Sequence, residues 1–183
     1  MPRPLILDVD TGVDDLVALL FAAGSPEVEL IGATTVFGNV DVDRTARNTM
    51  LALERSGLGE VEVARGAGSP LEATWAPFPI VHGEEGLGSF DPSSPGRAPS
   101  SRDAAHLIVD EARARPGEVL LVATGPLTNI AQAAELEPRL PELLGGFVLM
   151  GGAFREGGNV APRAEATEAR IVERLRSLIG SLA

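Results

Sequence analysis

The segment Leu5-Ile-Leu-Asp-Val-Asp-Thr-Gly-Val-Asp-Asp-Leu-Val-Ala-Leu-Leu20, near the N-terminus, has the most informative pattern in the sequence. Its first three residues are apolar and predict a short buried strand. Gly12 permits a sharp turn, and the apolar positions after it have the spacing of a helix. The stretch therefore predicts a strand, a tight turn and a helix, with acidic residues concentrated at the junction.

Four carboxylates lie within eight positions of that junction. Asp8 and Asp10 are two residues apart and so share a face of an extended strand, while Asp14 and Asp15 fall in the first helical turn. Anions this close repel one another unless some are protonated or a cation lies among them. Ligands that are all oxygen favour calcium or magnesium. The alternative is that Asp10 or Asp14 merely caps the helix and the other carboxylates are solvated.

Composition excludes several classes of function. The net charge of −11 disfavours binding to a nucleic-acid backbone. All 15 basic residues are arginine and there is no cysteine, which excludes lysine Schiff bases, thiolate chemistry and disulfides. No apolar run is long enough to span a bilayer and no signal region is evident, so we expect a cytoplasmic protein that acts on a small molecule.

Apolar runs that predict strands alternate with helical patterns along the chain. The predicted strands cover residues 5–7, 27–36, 61–64, 118–123 and 147–150. The predicted helices cover residues 14–23, 43–56, 101–115 (with Ser100 and Asp103 as a capping box), a stretch beginning at Pro126, and 162–180. This alternation predicts a single α/β domain over residues 1–183, with a mostly parallel open sheet and helices on both faces.

Residues 68–100 form a long segment rich in proline, glycine and serine. It contains His82 and the aromatic residues Trp75, Phe78 and Phe90. Long irregular segments inside compact domains are usually functional or disordered, and the aromatic residues favour an ordered lid. Trp75 and Phe78 are expected either to line a pocket or to pin the segment, and we favour pinning.

Ligands of open parallel sheets bind beyond the carboxyl ends of the strands. Five motifs occur in order at those predicted ends: Asp-Val-Asp-Thr-Gly-Val-Asp-Asp (8–15), Phe-Gly-Asn-Val (37–40), Val-His-Gly-Glu-Glu-Gly-Leu-Gly (81–88), Thr-Gly-Pro-Leu-Thr-Asn-Ile-Ala (124–131) and Met-Gly-Gly (150–152). Together they resemble the inosine–uridine-preferring nucleoside hydrolase family, and the resemblance covers residues 4–165. It implies hydrolysis of the N-glycosidic bond of ribonucleosides to free base and ribose.

The resemblance also implies a Ca²⁺ ion that holds the attacking water and two ribose hydroxyls. Its implied ligands are Asp10, Asp15 and the backbone carbonyl of Thr124, and Asp10 is also the implied base that activates the water. Asp8 is expected to orient its neighbours. The implied substrate-binding residues are Asp14, Asn39, His82, Asn159 and Glu165. Taken singly, the two asparagines are equally typical of turns, and Glu165 of a solvated helix face.

The resemblance ends at Ala166, and family members continue well beyond the length of this chain. Their further part supplies another metal-binding Asp and often a His near the leaving base, so the resemblance implies a C-terminally truncated member with reduced activity. The alternative is a catalytically silent remnant that binds ribose, ribonucleoside or Ca²⁺. An apolar stripe in the last predicted helix is expected to cover an exposed core edge or to join a partner subunit in a homo-oligomer. The stripe consists of Ile171, Val172, Leu175, Leu178, Ile179 and Leu182.

A different alternative takes Asp8-Val-Asp-Thr-Gly12 as similar to the phosphatase motif of the haloacid dehalogenase superfamily. That motif is accompanied by a later cationic residue and by a second acidic pair after a strand. The chain has no lysine, and its late strand ends in Met-Gly-Gly, so this alternative is disfavoured.

Overall fold

A computed structural model describes residues 1–150 of the chain except for Ala73, Phe78 and Asp91. It contains a five-stranded sheet in the order β3-β2-β1-β4-β5, in which every neighbouring pair is parallel. The strands are β1 (Arg3–Val9), β2 (Val28–Thr35), β3 (Glu62–Arg65), β4 (Leu120–Ala123) and β5 (Gly146–Leu149). This confirms the predicted α/β class with a parallel open sheet.

Six helices connect the described strands. They are α1 (Val13–Gly24), α2 (Val42–Arg55), α3 (Pro79–His82), α4 (Ala104–Ala114), α5 (Thr128–Leu136) and α6 (Leu140–Leu143). Helix α1 joins β1 to β2 and α2 joins β2 to β3, whereas α5 and α6 together join β4 to β5. The predicted helix over 162–180 lies outside the described residues.

Two predicted helix starts are wrong. Helix α4 begins at Ala104 rather than near residue 101, because Asp103 is its N-cap and accepts a hydrogen bond from the His106 N–H at 2.9 Å. Ser100 instead accepts a hydrogen bond from the Arg102 N–H at 3.0 Å. Helix α5 begins at Thr128, two residues after Pro126.

The delay before α5 has a structural cause in the preceding turn. The Thr124 N–H donates to the backbone carbonyl of Asp8 at 2.9 Å, which continues the pairing of β4 with β1. A Cβ atom on Gly125 would lie 2.8 Å from Val36 Cγ1 and 3.1 Å from Asp10 Oδ1. The chain is therefore held against the first turn of the sheet before the helix begins.

The alternation of side chains along β1 divides the core into two layers. Leu5, Leu7 and Val9 belong to one apolar cluster together with residues of α1 and α2, whereas Ile6 belongs to the other with residues of α4 and α5. Asp8 is two residues after Ile6 and shares its face of the strand. The carboxylate of Asp8 therefore lies on the same buried face of β1 as Ile6, at the carboxyl end of the strand.

The order of the strands places that carboxyl end at the centre of the sheet. The chain leaves β1 toward β2 and β3, and later returns on the other side of β1 to form β4 and β5. In open α/β sheets, ligands bind at this point, where the connections leave the sheet in opposite directions. The Asp-rich turn after β1 occupies this position.

The outward side of α1 is apolar. Val13, Val17, Leu20 and Phe21 recur at helical spacing and are all exposed in the described structure. These residues form an exposed apolar stripe on α1 in the described structure. The predicted helix over 162–180, which was expected to cover an exposed edge of the core, lies outside the described residues. None of the helices in the described part of the chain has the length and apolar character needed to cross a membrane.

Candidate active site

Asp8 is fully buried where β1 meets β2 and α5. Its Oδ1 accepts hydrogen bonds from Thr34 Oγ1 at 2.6 Å and from Asn129 Nδ2 at 2.7 Å, while its Oδ2 has no hydrogen-bond partner among the described residues. Burial raises the pKa of Asp8 to about 7, and its two hydrogen bonds oppose that change. Asp8 is thus held beneath the turn, in contact with the elements on either side of it.

Asp10 and Asp15 form a buried pair just above Asp8. The Asn39 N–H donates to Asp10 Oδ2 at 2.9 Å, and Thr124 Oγ1 donates to Asp15 Oδ1 at 2.5 Å. The pKa of Asp10 is raised to about 8, first by burial and then by the charge of Asp15. Burial also raises the pKa of Asp15, whose carboxyl group is within hydrogen-bonding range of Asp10. Two acidic groups therefore share one site where neither ionises easily.

The predicted alternative of simple helix capping is wrong for Asp10 and Asp14. The N-cap of α1 is Gly12, and the Gly12 N–H donates to Asp15 Oδ2 at 3.1 Å. One oxygen of Asp15 thus accepts a hydrogen bond from the backbone N–H of the N-cap residue, and the other accepts one from the Thr124 hydroxyl. The contact with the helix terminus orients the carboxylate and leaves it beside Asp10.

Two glycines bring backbone close to the Asp10 carboxylate. A Cβ atom on Gly38 would lie 2.0 Å from Asp10 Oδ2, and one on Gly125 would lie 3.1 Å from Asp10 Oδ1. Real Cβ contacts are not found at the first of these distances, so a side chain at position 38 would displace Asp10. The loops after β2 and β4 therefore enclose Asp10 from two sides.

His82 stands at the N-terminus of α1. Its Nδ1 accepts a hydrogen bond from the Val13 N–H at 3.2 Å and lies 3.8 Å from Asp14 Oδ1. A Cβ atom on Gly12 would lie 2.7 Å from both His82 Nδ1 and Asn39 Nδ2. Gly12 thus allows the imidazole and the Asn39 amide to approach the same turn, while the Asp14 side chain is mostly exposed beside them.

Trp75 attaches the long segment after β3 to the same edge. Its Nε1 donates to the backbone carbonyl of Gly38 at 3.1 Å, and its ring meets that of Phe37 edge-on at 5.2 Å between centroids. These contacts favour the pinning role for Trp75. Phe78, its predicted companion, lies outside the described residues.

The structure brings six of the predicted site residues to one edge of the sheet. They are Asp10, Asp14, Asp15, Asn39, His82 and Thr124. Two others, Asn159 and Glu165, lie outside the described residues. The side chain of Thr124 has a contact that the sequence did not predict, since only its carbonyl was expected to contribute and its hydroxyl binds Asp15.

Sequence reasoning missed Asn129, a fully buried residue in α5. Its Nδ2 donates to Asp8 Oδ1 and, at 3.0 Å, to the carbonyl of Thr35, while its Oδ1 accepts from the Ala67 N–H at 2.9 Å. One amide thus ties together the ends of β1, β2 and β3. The available signal was an asparagine early in a predicted helix, where it is unfavourable unless its side chain has a specific partner.

The donors at this edge suit a hard cation, although the described residues supply only part of a site. Within residues 1–150 as described, no group of three or more His, Cys, Asp or Glu residues is arranged to hold a metal ion. The paired carboxylates of Asp10 and Asp15 are nevertheless buried oxygen donors whose charged forms are destabilised. A divalent cation favours the ionised form of such groups, so these two residues fit part of its ligand set.

Comparison with known proteins identifies the class to which this fold and site belong. The family model for inosine-uridine preferring nucleoside hydrolase matches residues 5–167, and the chain belongs to that family. The inosine-uridine preferring nucleoside hydrolase of Crithidia fasciculata is 42% identical over 159 residues, which are 86% of this chain and 50% of that protein. Uridine nucleosidase 1 of Arabidopsis thaliana is 42% identical over 165 residues, 88% of this chain and 48% of its own length.

Solved structures agree with the sequence comparison. A plant nucleoside hydrolase superposes with a TM-score of 0.88 at 36% identity, covering 94% of this chain and 57% of that one. The purine-preferring ribonucleoside hydrolase from Gardnerella vaginalis gives a TM-score of 0.82 at 37% identity, covering 86% of this chain and 51% of its own. The chain thus spans about half the length of these relatives.

Proposed function

We propose that this chain hydrolyses the N-glycosidic bond of ribonucleosides to free base and ribose, with Asp10 as the base that activates water. The observation that carries the proposal is the buried pair of Asp10 and Asp15 at the carboxyl edge of β1, in a chain of the nucleoside hydrolase family. Such concentrations of groups with raised pKa values are typical of catalytic sites. The names of the relatives support ribonucleosides as the substrate class.

Asp10, Asp15 and the backbone carbonyl of Thr124 are the proposed holders of a Ca²⁺ ion. When bound, such an ion lowers the pKa of a coordinated water to a range in which a carboxylate can accept its proton. The two hydrogen bonds of Asp15 and the Asn39 N–H contact to Asp10 keep both carboxylates oriented. The carboxylate that accepts the proton is therefore in position before the substrate binds, and this advance positioning lowers the activation barrier.

The proposed substrate-binding residues surround the pair. Asp14 and His82 lie together on the exposed side of the α1 N-terminus, and Asn39 lies across Gly12 from them. We assign Asp14 and Asn39 to the ribose hydroxyls and His82 to the nucleobase or the ribose rim. Asn159 and Glu165 complete the proposed set from the part of the chain beyond residue 150.

A second candidate is a protein that binds ribonucleoside or cation without turnover. One observation favours it: in the described part of the chain the proposed cation site contains two buried carboxylates, and no group of three or more His, Cys, Asp or Glu residues is arranged to hold a metal ion. Calcium sites usually use about six to eight oxygen ligands, so a site with fewer protein ligands holds the ion more weakly.

The two candidates are separated by measuring free base released from inosine and from uridine, by absorbance, in excess Ca²⁺ and after removal of divalent ions. Base release that requires the cation supports the hydrolase. Ca²⁺ binding measured by calorimetry with no release of base from either nucleoside overturns the hydrolase and supports the binding protein.

A further inference from the structure

Asn48, in the middle of α2, is fully buried and joins three parts of the molecule. Its Nδ2 donates to the backbone carbonyl of Glu85 at 2.7 Å and to that of Thr11 at 3.4 Å. Its Oδ1 accepts from the guanidinium of Arg47 at 3.1 and 3.2 Å. One amide on α2 is therefore bonded both to the Asp-rich turn and to the segment that follows His82.

That segment is a tight coil of residues 83–88. The Gly86 N–H donates to the carbonyl of Gly83 at 3.1 Å, and the Gly88 N–H donates to the carbonyl of His82 at 2.7 Å. All three glycines have positive φ angles, a conformation that other residues adopt at a cost. A Cβ atom on Gly86 would lie 2.9 Å from Asn48 Nδ2, so the coil is packed closely on the amide.

The coil follows directly after His82, whose imidazole accepts a hydrogen bond from the Val13 N–H at the start of α1. Asn48 contacts the backbone on both sides of that interaction, at Thr11 before α1 and at Glu85 after His82. Loss of the amide would remove a buried donor from the Thr11 carbonyl and would leave the Glu85 carbonyl with only the longer contact from Arg47 Nη2 at 3.4 Å. Carbonyl groups that lose a buried donor regain a partner by opening toward water. Opening of the coil would release His82 from the helix terminus.

We propose that Asn48 is a positioning residue that holds His82 over the N-terminus of α1. The role of His82 toward substrate rests on the proposed function, whereas its placement by Asn48 does not. The contact differs from the surface ion pairs nearby, in which the Glu85 carboxylate lies 2.8 Å from Arg47 and 3.4 Å from Arg44. Those ion pairs involve the side chain of Glu85, whereas Asn48 donates to its backbone carbonyl at 2.7 Å, a shorter contact than the 3.4 Å hydrogen bond from Arg47 Nη2 to the same carbonyl.

The two histidines of the chain provide a direct measurement. The side chain of His82 is 14% exposed, whereas that of His106, beside Asp103 at the start of α4, is 55% exposed and serves as an internal standard. The experiment measures the rate at which diethyl pyrocarbonate modifies each imidazole, by mass spectrometry of peptides from the whole protein. The ratio of the His82 rate to the His106 rate reports how firmly His82 is held.

Asn48→Ala is expected to raise that ratio at least about fivefold, because loss of even one hydrogen bond changes a local opening equilibrium by about that factor and the Asn48 amide donates two. Glu85→Gln is the matched control, since it weakens the ion pairs and keeps the backbone carbonyl, and it is expected to leave the ratio unchanged. Asn48→Asp keeps nearly the same shape, replaces the Nδ2 donor with an oxygen and is expected to raise the ratio as well. This second variant keeps the test decisive where circular dichroism shows that Asn48→Ala does not fold.

A folded Asn48→Ala protein with an unchanged ratio overturns the proposal, and so does an equal rise in both rates, which indicates general loosening. The measurement needs no turnover, so failure of the proposed hydrolysis leaves it intact. In a protein that does release base, Asn48→Ala is also expected to raise KM by a larger factor than it lowers kcat, because Asp10 and Asp15 keep their own contacts.

Discussion

The acidic side chains of this protein stand in two opposite electrostatic settings. Among partly buried residues, Glu62 lies 2.6 Å from the guanidinium of Arg102, and that hydrogen bond lowers the pKa of the carboxyl group. At the carboxyl edge of β1, burial raises the pKa values of Asp8, Asp10 and Asp15. In the described part of the chain, no arginine is among the hydrogen-bond or ion-pair partners of these three residues.

The negative charge of Glu62 is compensated by an arginine of the protein, whereas the described residues provide no cation for Asp8, Asp10 and Asp15. An exposed ion pair contributes little to folding, commonly below about 1 kcal/mol, because water already solvates both partners. A buried, unpaired carboxylate destabilises the fold, and binding of a proton or a cation relieves that effect. The second setting is typical of functional sites, and it makes a bound proton or metal ion part of the stability of the protein.

Among substitutions that test the difference between the two groups of acidic residues, Asp10→Asn is expected to have the largest effect on activity. It keeps the shape of the side chain and removes its basicity. We expect release of base from inosine to fall about a hundredfold or more, the usual contribution of a general base. Glu62→Gln is the control, because it removes an arginine-paired carboxylate at the first residue of β3, the end opposite to the carboxyl edge of the sheet, and its rate is expected to match that of the unmodified protein. Asp10→Asn with undiminished base release removes Asp10 from the proposed mechanism.

The next effect is the stabilisation by a divalent cation. At pH 8 a Ca²⁺ concentration of about a hundred times its dissociation constant is expected to raise the free energy of unfolding by about 2.7 kcal/mol. Differential scanning calorimetry would show this as a rise in Tm of several degrees, which Asp15→Asn should largely abolish. Glu62→Gln should keep the full rise, because Glu62 already has an arginine partner. An equal rise in both variants would mean that the ion binds elsewhere.

The turn after β1 could be predicted from sequence because its information is local. Apolar residues, one glycine and the spacing of four aspartates determine a strand, a turn and a helix, and the parallel order of strands then brings Asn39, Thr124 and His82 to the same edge. The spacing placed Asp8 and Asp10 on one strand face and Asp14 and Asp15 in the first helical turn, whereas the pairing of Asp10 with Asp15 was implied by the resemblance. The resemblance to the family added the roles, which residue spacing alone does not supply.

The buried amides could not be predicted in the same way. Asn129 contacts Asp8, which is 121 residues away in sequence, and Asn48 contacts Glu85, 37 residues away. No local pattern specifies such pairs, because each depends on how distant elements pack. The wrong start predicted for α5 has the same origin, since proline at a first helical position is a local rule and the packing of Gly125 against Asp10 is not local.

The smallest expected effect is the pH dependence of stability in protein stripped of divalent ions. The pKa values of Asp8 and Asp10 rise from 3.8 to about 7 and about 8 on folding, so the folded state binds protons more tightly than the unfolded state between these limits. The stability that these two groups contribute is complete below about pH 4 and is lost as the pH rises to about 8. Glu62 acts in the opposite sense, because its pKa is lowered and its contribution is lost as the pH falls below its ordinary value of 4.5.

Urea unfolding between pH 5 and pH 8 separates the buried carboxyl groups from Glu62 and the other carboxylates with lowered pKa values, because the latter remain ionised throughout that range. We expect the free energy of unfolding to fall by at least about 1 kcal/mol across it, against a limit of about 1.4 kcal/mol per pH unit for each proton. Asp10→Asn should make the profile flatter, since an amide has no proton to lose, and Glu62→Gln should shift the whole profile without changing its slope. A free energy that rises with pH would mean that Asp8 and Asp10 are already compensated by charge from the remainder of the chain.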